Sequence, residues 1–299
     1  MSRMIVLMIL LVLPLQAFGA EPLSMKYALS VYADEKGTGL NNPEGVACTE
    51  GRLVVADTGN GRLVLYSLLG GEPKGGTEIK LSQVLYPVRV TISSKGDIFV
   101  LDERQRKIAR LTQEGVFTGY VEISGLPTQS MVVPGGIAVD SNDNLYVLDT
   151  LGGRVLVLAI DGKFQRQIEF PKESGFITDL AVDPKGIVFL VDGAKSRVYS
   201  NTADQAVLSP LTGELKDDLK FPSNIAIDMQ GRLFISDKNS GGIVVIGRDG
   251  TFLNRLLSLG WKEGNVRYPS QICVEKDGSF FVADKANSRI QKFSPITVK

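Results

Sequence analysis

Short apolar runs that end in an aspartate recur along the chain at a nearly constant distance. They include the stretches "VVAD", "YVLD" and "FVAD", and successive aspartates are 45, 47, 43, 45 and 47 residues apart. The six residues are Asp57, Asp102, Asp149, Asp192, Asp237 and Asp284. A repeat of this length over six copies indicates a solenoid, a propeller or a similar array.

Each copy has the same order of apolar and polar positions. A turn residue, proline in most copies, precedes an apolar run, and a tight turn then leads to the run that ends in Asp. Five positions after the Asp comes Arg or Lys in every copy except the fifth, which has Gly242. The runs are rich in β-branched and aromatic residues and are bounded by Gly, Asn, Asp or Pro. They therefore predict strands and hairpins, with no helical periodicity after the N-terminal segment.

Four strands per repeat describe the blade of a β-propeller, so six repeats predict an all-β, six-bladed ring. The last repeat is one strand short, whereas residues 25–33 form a strand without a blade of its own. Because an open ring exposes two sheet edges, we expect this N-terminal strand to complete the last blade. The predicted propeller covers residues 21–299, with blades at about 41–84, 85–131, 132–174, 175–219, 220–265, and 266–299 plus 25–33.

The repeat resembles the NHL repeat. The nearest copy is "PGGIAVDSNDNLYVLDTLGGRVLVL" at residues 134–158, and the copies that begin at Pro222 and Pro269 are similar to it. The resemblance covers about residues 26–296 and implies a six-bladed propeller. It implies little about activity, because the family includes interaction scaffolds, ligand binders and a few enzymes.

The chain contains no histidine among its 299 residues. This excludes Ser-His-Asp and Cys-His catalysis and any site in which histidine holds zinc or haem. It also excludes the zinc chemistry of the peptide-amidating lyases, an NHL branch that holds its metal with histidines. The 33 basic and 33 acidic residues balance, so the charge indicates neither a nucleic-acid partner nor attachment to anionic lipid.

The N-terminus has the pattern of a secretory signal peptide. Arg3 precedes an apolar stretch from Met4 to Leu15, and small residues follow up to Ala20. We expect residues 1–20 to be removed and the protein to be periplasmic or secreted, as a monomer without a stable membrane span. An uncleaved membrane anchor is the alternative, although the apolar run is short for a span.

The candidate binding residues are those at which the repeat departs from its own pattern. The second residue after the proline, or after its equivalent, is normally Gly in an NHL copy, but here Arg89, Asp179, Asn224 and Gln271 occupy this position. Glu44 is at the first position in the first copy. We expect these five side chains at one mouth of the central channel, where they form either a small-ligand site or a hydrated polar funnel without a ligand.

A metal site is the alternative interpretation of the same positions. Glu44, Asp179 and Asn224 offer the oxygen ligands that Ca²⁺ prefers. The calcium-dependent lactonases related to gluconolactonase, a neighbouring propeller group, hold their metal with carboxylate and Asn side chains around the channel. The third copy offers only Gly135 and Gly136, which weakens this interpretation.

Three further features have mainly structural interpretations. We expect each Asp and the basic residue five positions later to pair across a hairpin. Cys48 and Cys273 are offset by one position in neighbouring blades, so we favour two free buried thiols over a disulfide. We expect Trp261, in the connection that enters the last blade, to be a packed loop residue rather than an interaction anchor.

These observations favour a non-enzymatic module that binds or scaffolds other envelope or secreted proteins, or takes a small ligand at the channel mouth. No cofactor is predicted. The alternative is a calcium-dependent hydrolase or lactonase with its site at the channel mouth.

Overall fold

A computed structural model describes residues 23–202 and 207–296, and shows six four-stranded antiparallel sheets arranged as the blades of a propeller. The predicted fold class is confirmed. The predicted signal peptide lies outside the described residues. Within the described part, no helix is long and apolar enough to cross a membrane.

In blades one to five, four consecutive strands follow chain order from the channel outwards. Blade one contains strands β2 to β5, and blades two to five contain β6 to β9, β10 to β13, β14 to β17 and β18 to β21, whose bounds follow in this order. The strands of blades one to three are Gly45–Thr49, Arg52–Asp57, Arg62–Leu69, Glu72–Ile79, Pro87–Ile92, Ile98–Asp102, Lys107–Leu111, Phe117–Tyr120, Pro134–Val139, Leu145–Asp149, Arg154–Leu158 and Phe164–Glu169. Those of blades four and five are Ile177–Val182, Val188–Asp192, Arg197–Ser200, Ser209–Pro210, Pro222–Ile227, Leu233–Asp237, Gly242–Ile246 and Phe252–Leu256.

Blade six is built from both ends of the chain. Its strands β22 (Pro269–Val274), β23 (Phe280–Asp284) and β24 (Arg289–Pro295) are completed by β1 (Met25–Val31), which pairs antiparallel with β24. The predicted closure of the ring by the N-terminal strand is therefore confirmed. Two short 3₁₀ helices, Thr58–Asn60 and Lys285–Asn287, form the turns after β3 and β23.

The hydrophobic core lies between neighbouring blades rather than in one central mass. Alternate residues of the inner strands face opposite sides of each sheet, so every blade packs one face against each neighbour. Val46 and Val55 of blade one, for example, pack with Phe281 and Ile290 of blade six. We call the end of the ring where the inner strands begin the upper face, and the end where they finish the lower face.

The predicted Asp–Arg pairs tie the central hairpins at the upper face. Asp57 and Arg62 are direct cross-strand partners, and Arg62 Nε donates to the Asp57 carboxylate over 2.7 Å with both side chains buried. Asp149–Arg154 and Asp284–Arg289 form the same ion pair at 3.0 and 2.7 Å. The aspartates also accept backbone N–H groups of the chain entering the blade, such as that of Asn41 at Asp57. The structural interpretation of this motif is confirmed for these three copies. In the second and fourth copies Asp102 and Asp192 are also cross-strand partners of Lys107 and Arg197, but Lys107 lies over the Tyr120 ring and Arg197 pairs with Glu214.

The expectation of two free thiols is wrong, because Cys48 and Cys273 form a disulfide with 5.8 Å between their Cα atoms. Cys48 is on the face of blade one that packs against blade six, and Cys273 is on the blade-six face that meets it. Faces that pack together in a ring are opposite faces of the two sheets. The one-residue offset therefore brings the sulfur atoms together instead of separating them.

Candidate functional site

The inner strands leave one edge of each sheet facing the channel, and the backbone groups on that edge need partners. In blades two to five the pairing register shifts just after the first residue of the inner strand, at Pro87/Arg89, Pro134/Gly136, Ile177/Asp179 and Pro222/Asn224. Such bulges re-aim the side chains that follow them. The second residue after the proline thereby comes into contact with the neighbouring inner strand.

Asp179 and Asn224 each accept a hydrogen bond from a backbone N–H group on the inner strand of the next blade. Asp179 Oδ2 accepts from the N–H of Ile225 over 3.2 Å, and Asn224 Oδ1 accepts from the N–H of Ile272 over 2.9 Å. The side-chain amide of Asn224 also donates to the Asp179 carboxylate. These side chains therefore satisfy the edges of blades five and six, in place of a paired strand.

Gln271 of blade six bonds the inner-strand backbone of both blade one and blade two. Its Oε1 accepts from the N–H groups of Val46, over 3.2 Å, and Val90, over 3.1 Å, and its Nε2 donates to the Val90 carbonyl over 2.8 Å. The longer side chain passes Gly45 on its way, and a Cβ atom at position 45 would lie 3.2 Å from Gln271 Oε1. Gly45 therefore leaves the room that Gln271 needs to reach blade two.

Arg89 crosses the channel from blade two to the opposite side. Its guanidinium donates to Ser270 Oγ and to the Ser223 carbonyl, both over 3.3 Å, and its Nε lies 3.8 Å from Asp179 Oδ1. Within the part of the chain that the structure describes, this buried Nε has no hydrogen-bond partner. We call Arg89, Asp179, Asn224 and Gln271 the channel plug, because together they join five of the six blades across the upper part of the channel.

Burial sets the electrostatics of the plug. It raises the pKa of Asp179 to about 6, against the opposing effects of the Arg89 charge and of hydrogen bonds from Ile225, Leu180 and Asn224. The carboxylate is only 2% exposed. At neutral pH it forms an ion pair with Arg89 inside the ring, where loss of one partner would leave an uncompensated charge.

The side chain of Glu44 does not take part in this hydrogen-bond network. Its Oε1 accepts from Lys285 Nζ over 2.7 Å, so it joins blade one to blade six at the upper face. The structure thus brings four of the five predicted residues into one network and gives the fifth a separate partner. Lys285 was not singled out from the sequence, since it sits in a hairpin turn that resembles the other copies.

The plug does not fit a calcium ion as it is arranged. The oxygens of Asp179 and Asn224 accept N–H groups, Glu44 faces Lys285, and the Arg89 cation is beside the carboxylate. In the described ranges, no three His, Cys, Asp or Glu side chains come together as a metal site would require. The proposal of a metal at these three residues therefore requires a rearrangement of the plug.

The loop that carries Trp261 presents apolar side chains at the upper face. Trp261 is 71% exposed, so the expectation that it is packed is wrong. We call it and three neighbours in the chain or in space the upper aromatic patch, with exposures of 48, 59, 71 and 47% for Tyr32, Leu259, Trp261 and Tyr268. Tyr32 joins the same loop because its hydroxyl donates to Glu263 over 2.9 Å.

The loop under this patch is held firmly by the neighbouring Asp–Arg pair. Arg289 Nη2 donates to the carbonyls of Lys262 and Asn265, both over 2.9 Å, while its Nε bonds Asp284. Asn287 Nδ2 donates to the Gly260 carbonyl over 2.9 Å. The structural hairpin motif therefore also positions the exposed Trp261.

The family model for the NHL repeat matches residues 266–293, which form the inner three strands of blade six. The chain carries an NHL repeat. No curated protein matches the chain. The matched repeat and the ring of six blades agree with the resemblance drawn from the sequence.

Solved structures of other propellers are similar over 72 to 93% of the chain. A gluconolactonase from Xanthomonas campestris has 14% identity and a TM-score of 0.68, with 93% of this chain and 96% of that chain covered. Virginiamycin B lyase from Staphylococcus aureus, with quinupristin, has 16% identity and a TM-score of 0.61, with 92% and 100% covered. A nidogen/laminin complex has 19% identity and a TM-score of 0.59, with 72% and 80% covered. At these identities the likeness shows the fold alone.

Proposed function

We propose that this protein is an exported, non-enzymatic binding module that takes a protein partner on its upper face. The observation that carries the proposal is the channel plug. The polar side chains that would have to serve a substrate at the channel mouth instead bond one another and the inner strands of neighbouring blades. Their hydrogen-bonding groups are occupied in joining the blades to one another.

The upper aromatic patch supports a protein partner. Exposed tryptophan and tyrosine side chains are enriched at the energetic centres of interfaces. Trp261 is the only tryptophan of the chain, and it is exposed on a loop that Arg289 and Asn287 hold in place. A loop ordered in advance loses less conformational entropy when a partner binds.

The histidine-free composition argues against the chemistry of one similar structure. A variant of the virginiamycin B lyase in which one histidine is replaced by alanine is catalytically inactive. This chain has no histidine at any position. We therefore do not extend the lyase activity to it.

The test is affinity capture from the cell envelope with the protein and two matched variants. Trp261→Ala removes the centre of the upper aromatic patch, and Met229→Ala removes a side chain of similar exposure, 67%, from the lower face. We expect one or more proteins to be captured by the wild type and by Met229→Ala, and to be lost with Trp261→Ala. Equal capture by all three, or no specific capture, would overturn the proposal.

A calcium-dependent hydrolase is the second candidate, favoured by a fold similar to that of a gluconolactonase and by the closeness of the Asp179 and Asn224 side chains, whose oxygens would have to turn away from their N–H partners. Calorimetric titration with Ca²⁺, followed by assays with lactone and ester substrates, tests it. Saturable binding and turnover that are both lost in Asp179→Asn would establish this function. A protein that binds no Ca²⁺ up to millimolar concentration would exclude it.

A further inference from the structure

The lower end of the channel is shaped differently from the upper end. A cavity of about 140 Å³ has Asp179, Asn224 and Gln271 of the plug among its walls. Val139 lines both this cavity and a larger one of about 700 Å³ at the lower mouth. The channel is therefore a well that opens on the lower face and ends at the plug, on the side opposite to the site predicted from the sequence.

An apolar collar surrounds the lower part of this well. The same position near the end of each inner strand carries an apolar side chain or the half-cystine, and all six are half-buried: Cys48, Ile92, Val139, Val182, Ile227 and Val274. Binding pockets for small molecules are typically apolar, with a few polar groups at fixed places, and 300 to 1,000 Å³ is about their usual volume. The volume of the larger cavity lies in this range, and its walls combine four residues of the collar with polar residues of the lower turns.

The charged groups that line the larger cavity are predominantly acidic. Four carboxylates line it, those of Glu50, Asp140, Glu275 and Asp277, against one ammonium group, that of Lys276. A second ammonium group lies close by, since Lys292 pairs with Glu275 over 2.6 Å. The carboxylates still exceed the cations when Lys292 is counted.

Hydrogen bonds within the turns hold two of these carboxylates in fixed positions. Asp140 Oδ1 accepts the N–H groups of Asn142 and Asn144, both over 2.9 Å, and Asp277 Oδ1 accepts that of Ser279 over 2.8 Å. The rim therefore presents fixed negative charge next to an apolar wall.

We infer that the lower well binds a small amphiphilic amine, with its apolar chain against the collar and its ammonium group at the acidic rim. The complementarity of charge selects a cation over an anion of the same size and shape. This site does not depend on the upper aromatic patch, and either one can exist without the other.

Hexylamine and hexanoate are suitable probes, because they share an apolar chain and carry opposite charges. We expect hexylamine at neutral pH to cause saturable shifts of the backbone amide signals at Ile92, Val139 and Val274 in NMR titrations of the protein. Hexanoate should bind at least about tenfold more weakly. Equal binding of both probes, no saturable binding up to tens of millimolar, or shifts confined to the upper face would overturn the inference.

A matched pair of variants tests the role of the rim. Asp277 and Asp249 each accept the N–H of the residue two positions later, over 2.8 and 3.0 Å, but only Asp277 lines the cavity. We expect Asp277→Asn to weaken hexylamine binding severalfold and Asp249→Asn to leave it unchanged. Ile92→Thr keeps a β-branched side chain in the strand and should weaken binding through the collar. Unchanged affinity in both Asp277→Asn and Ile92→Thr would contradict the assignment.

Discussion

The guanidinium of Arg255 occupies the space that the missing side chain of Gly242 leaves in blade five. A Cβ atom at position 242 would lie 2.8 Å from Arg255 Nη2. Arg255 Nη1 lies 3.5 Å from Asp237 Oδ2, and its Nη2 donates to Ser240 Oγ over 2.6 Å. The one repeat without a basic residue after its hairpin turn thus recovers the ion pair from its outer strand.

The replacement of the missing basic side chain by Arg255 can be tested by placing an arginine at position 242, as in most of the other repeats. Arg255→Ala should lower the free energy of unfolding by about 1–2 kcal/mol, because Asp237 stays buried and loses a cationic partner. Adding Gly242→Arg to that variant should recover part of the loss, since the position then matches Arg62 and Arg154. Urea unfolding of the three proteins measures both effects. A double variant no more stable than Arg255→Ala would refute the equivalence of the two arginines.

The disulfide between Cys48 and Cys273 should contribute strongly to stability, because it links the first and last inner strands across 225 residues of chain. Replacing both cysteines by serine should cost about 2–5 kcal/mol. Thermal unfolding with and without reductant gives a direct comparison. Reductant should lower the midpoint of the wild type and leave that of the double variant unchanged. Insensitivity of the wild type to full reduction would show that the ring is closed by β1 alone.

Gln271 should be more important for stability than an exposed glutamine. Gln271→Ala leaves the buried N–H groups of Val46 and Val90 without a partner, and we expect a loss of about 2 kcal/mol or more. Gln230→Ala, in an exposed turn of the lower face, should change the free energy of unfolding by less than about 0.5 kcal/mol. Denaturant titrations of the two variants distinguish the cases. Equal stabilities would mean that the channel admits enough water to satisfy these groups.

The raised pKa of Asp179 predicts a pH dependence of defined sign. Between the ordinary pKa of about 3.8 in the unfolded chain and about 6 in the folded protein, the folded state binds more protons. The contribution of this carboxyl group to stability is therefore full at low pH and falls as pH rises towards 6. Asp179→Asn removes the group that titrates.

Stability curves of the wild type and Asp179→Asn between pH 4 and 7 test this. The stability of the variant relative to the wild type should rise from pH 4 to about 6 and then stay level. Asp249→Asn is the control. Hydrogen bonds from Thr251 hold the pKa of Asp249 below its usual value, so the stability of this variant relative to the wild type should not rise with pH. A constant difference between wild type and Asp179→Asn across this range would show that the carboxyl group is not perturbed.

Local patterns in the sequence were sufficient for the fold. The period of the six aspartates, the alternation in each strand and the unpaired N-terminal strand depend on neighbours in the chain and on the need to pair every sheet edge. Asp57 and Arg62 pair because five positions span one hairpin turn. The hairpins are short in sequence, and the closure by the N-terminal strand follows from the one edge left unpaired, so the sequence by itself determined both.

Only the tertiary structure decided which partners the side chains in the channel bond. The departures from the repeat predicted one site from Glu44, Arg89, Asp179, Asn224 and Gln271. The structure joins the last four in one network and pairs Glu44 with Lys285, and many of the network's partners are backbone groups of other blades, which no sequence pattern specifies. The same holds for the disulfide, because only the packing of opposite sheet faces brings Cys48 to Cys273. The contacts of the channel plug and the disulfide join residues that are from 45 to 225 positions apart. Their geometry is set when the ring closes, and this is why the structure decided what each of these residues does.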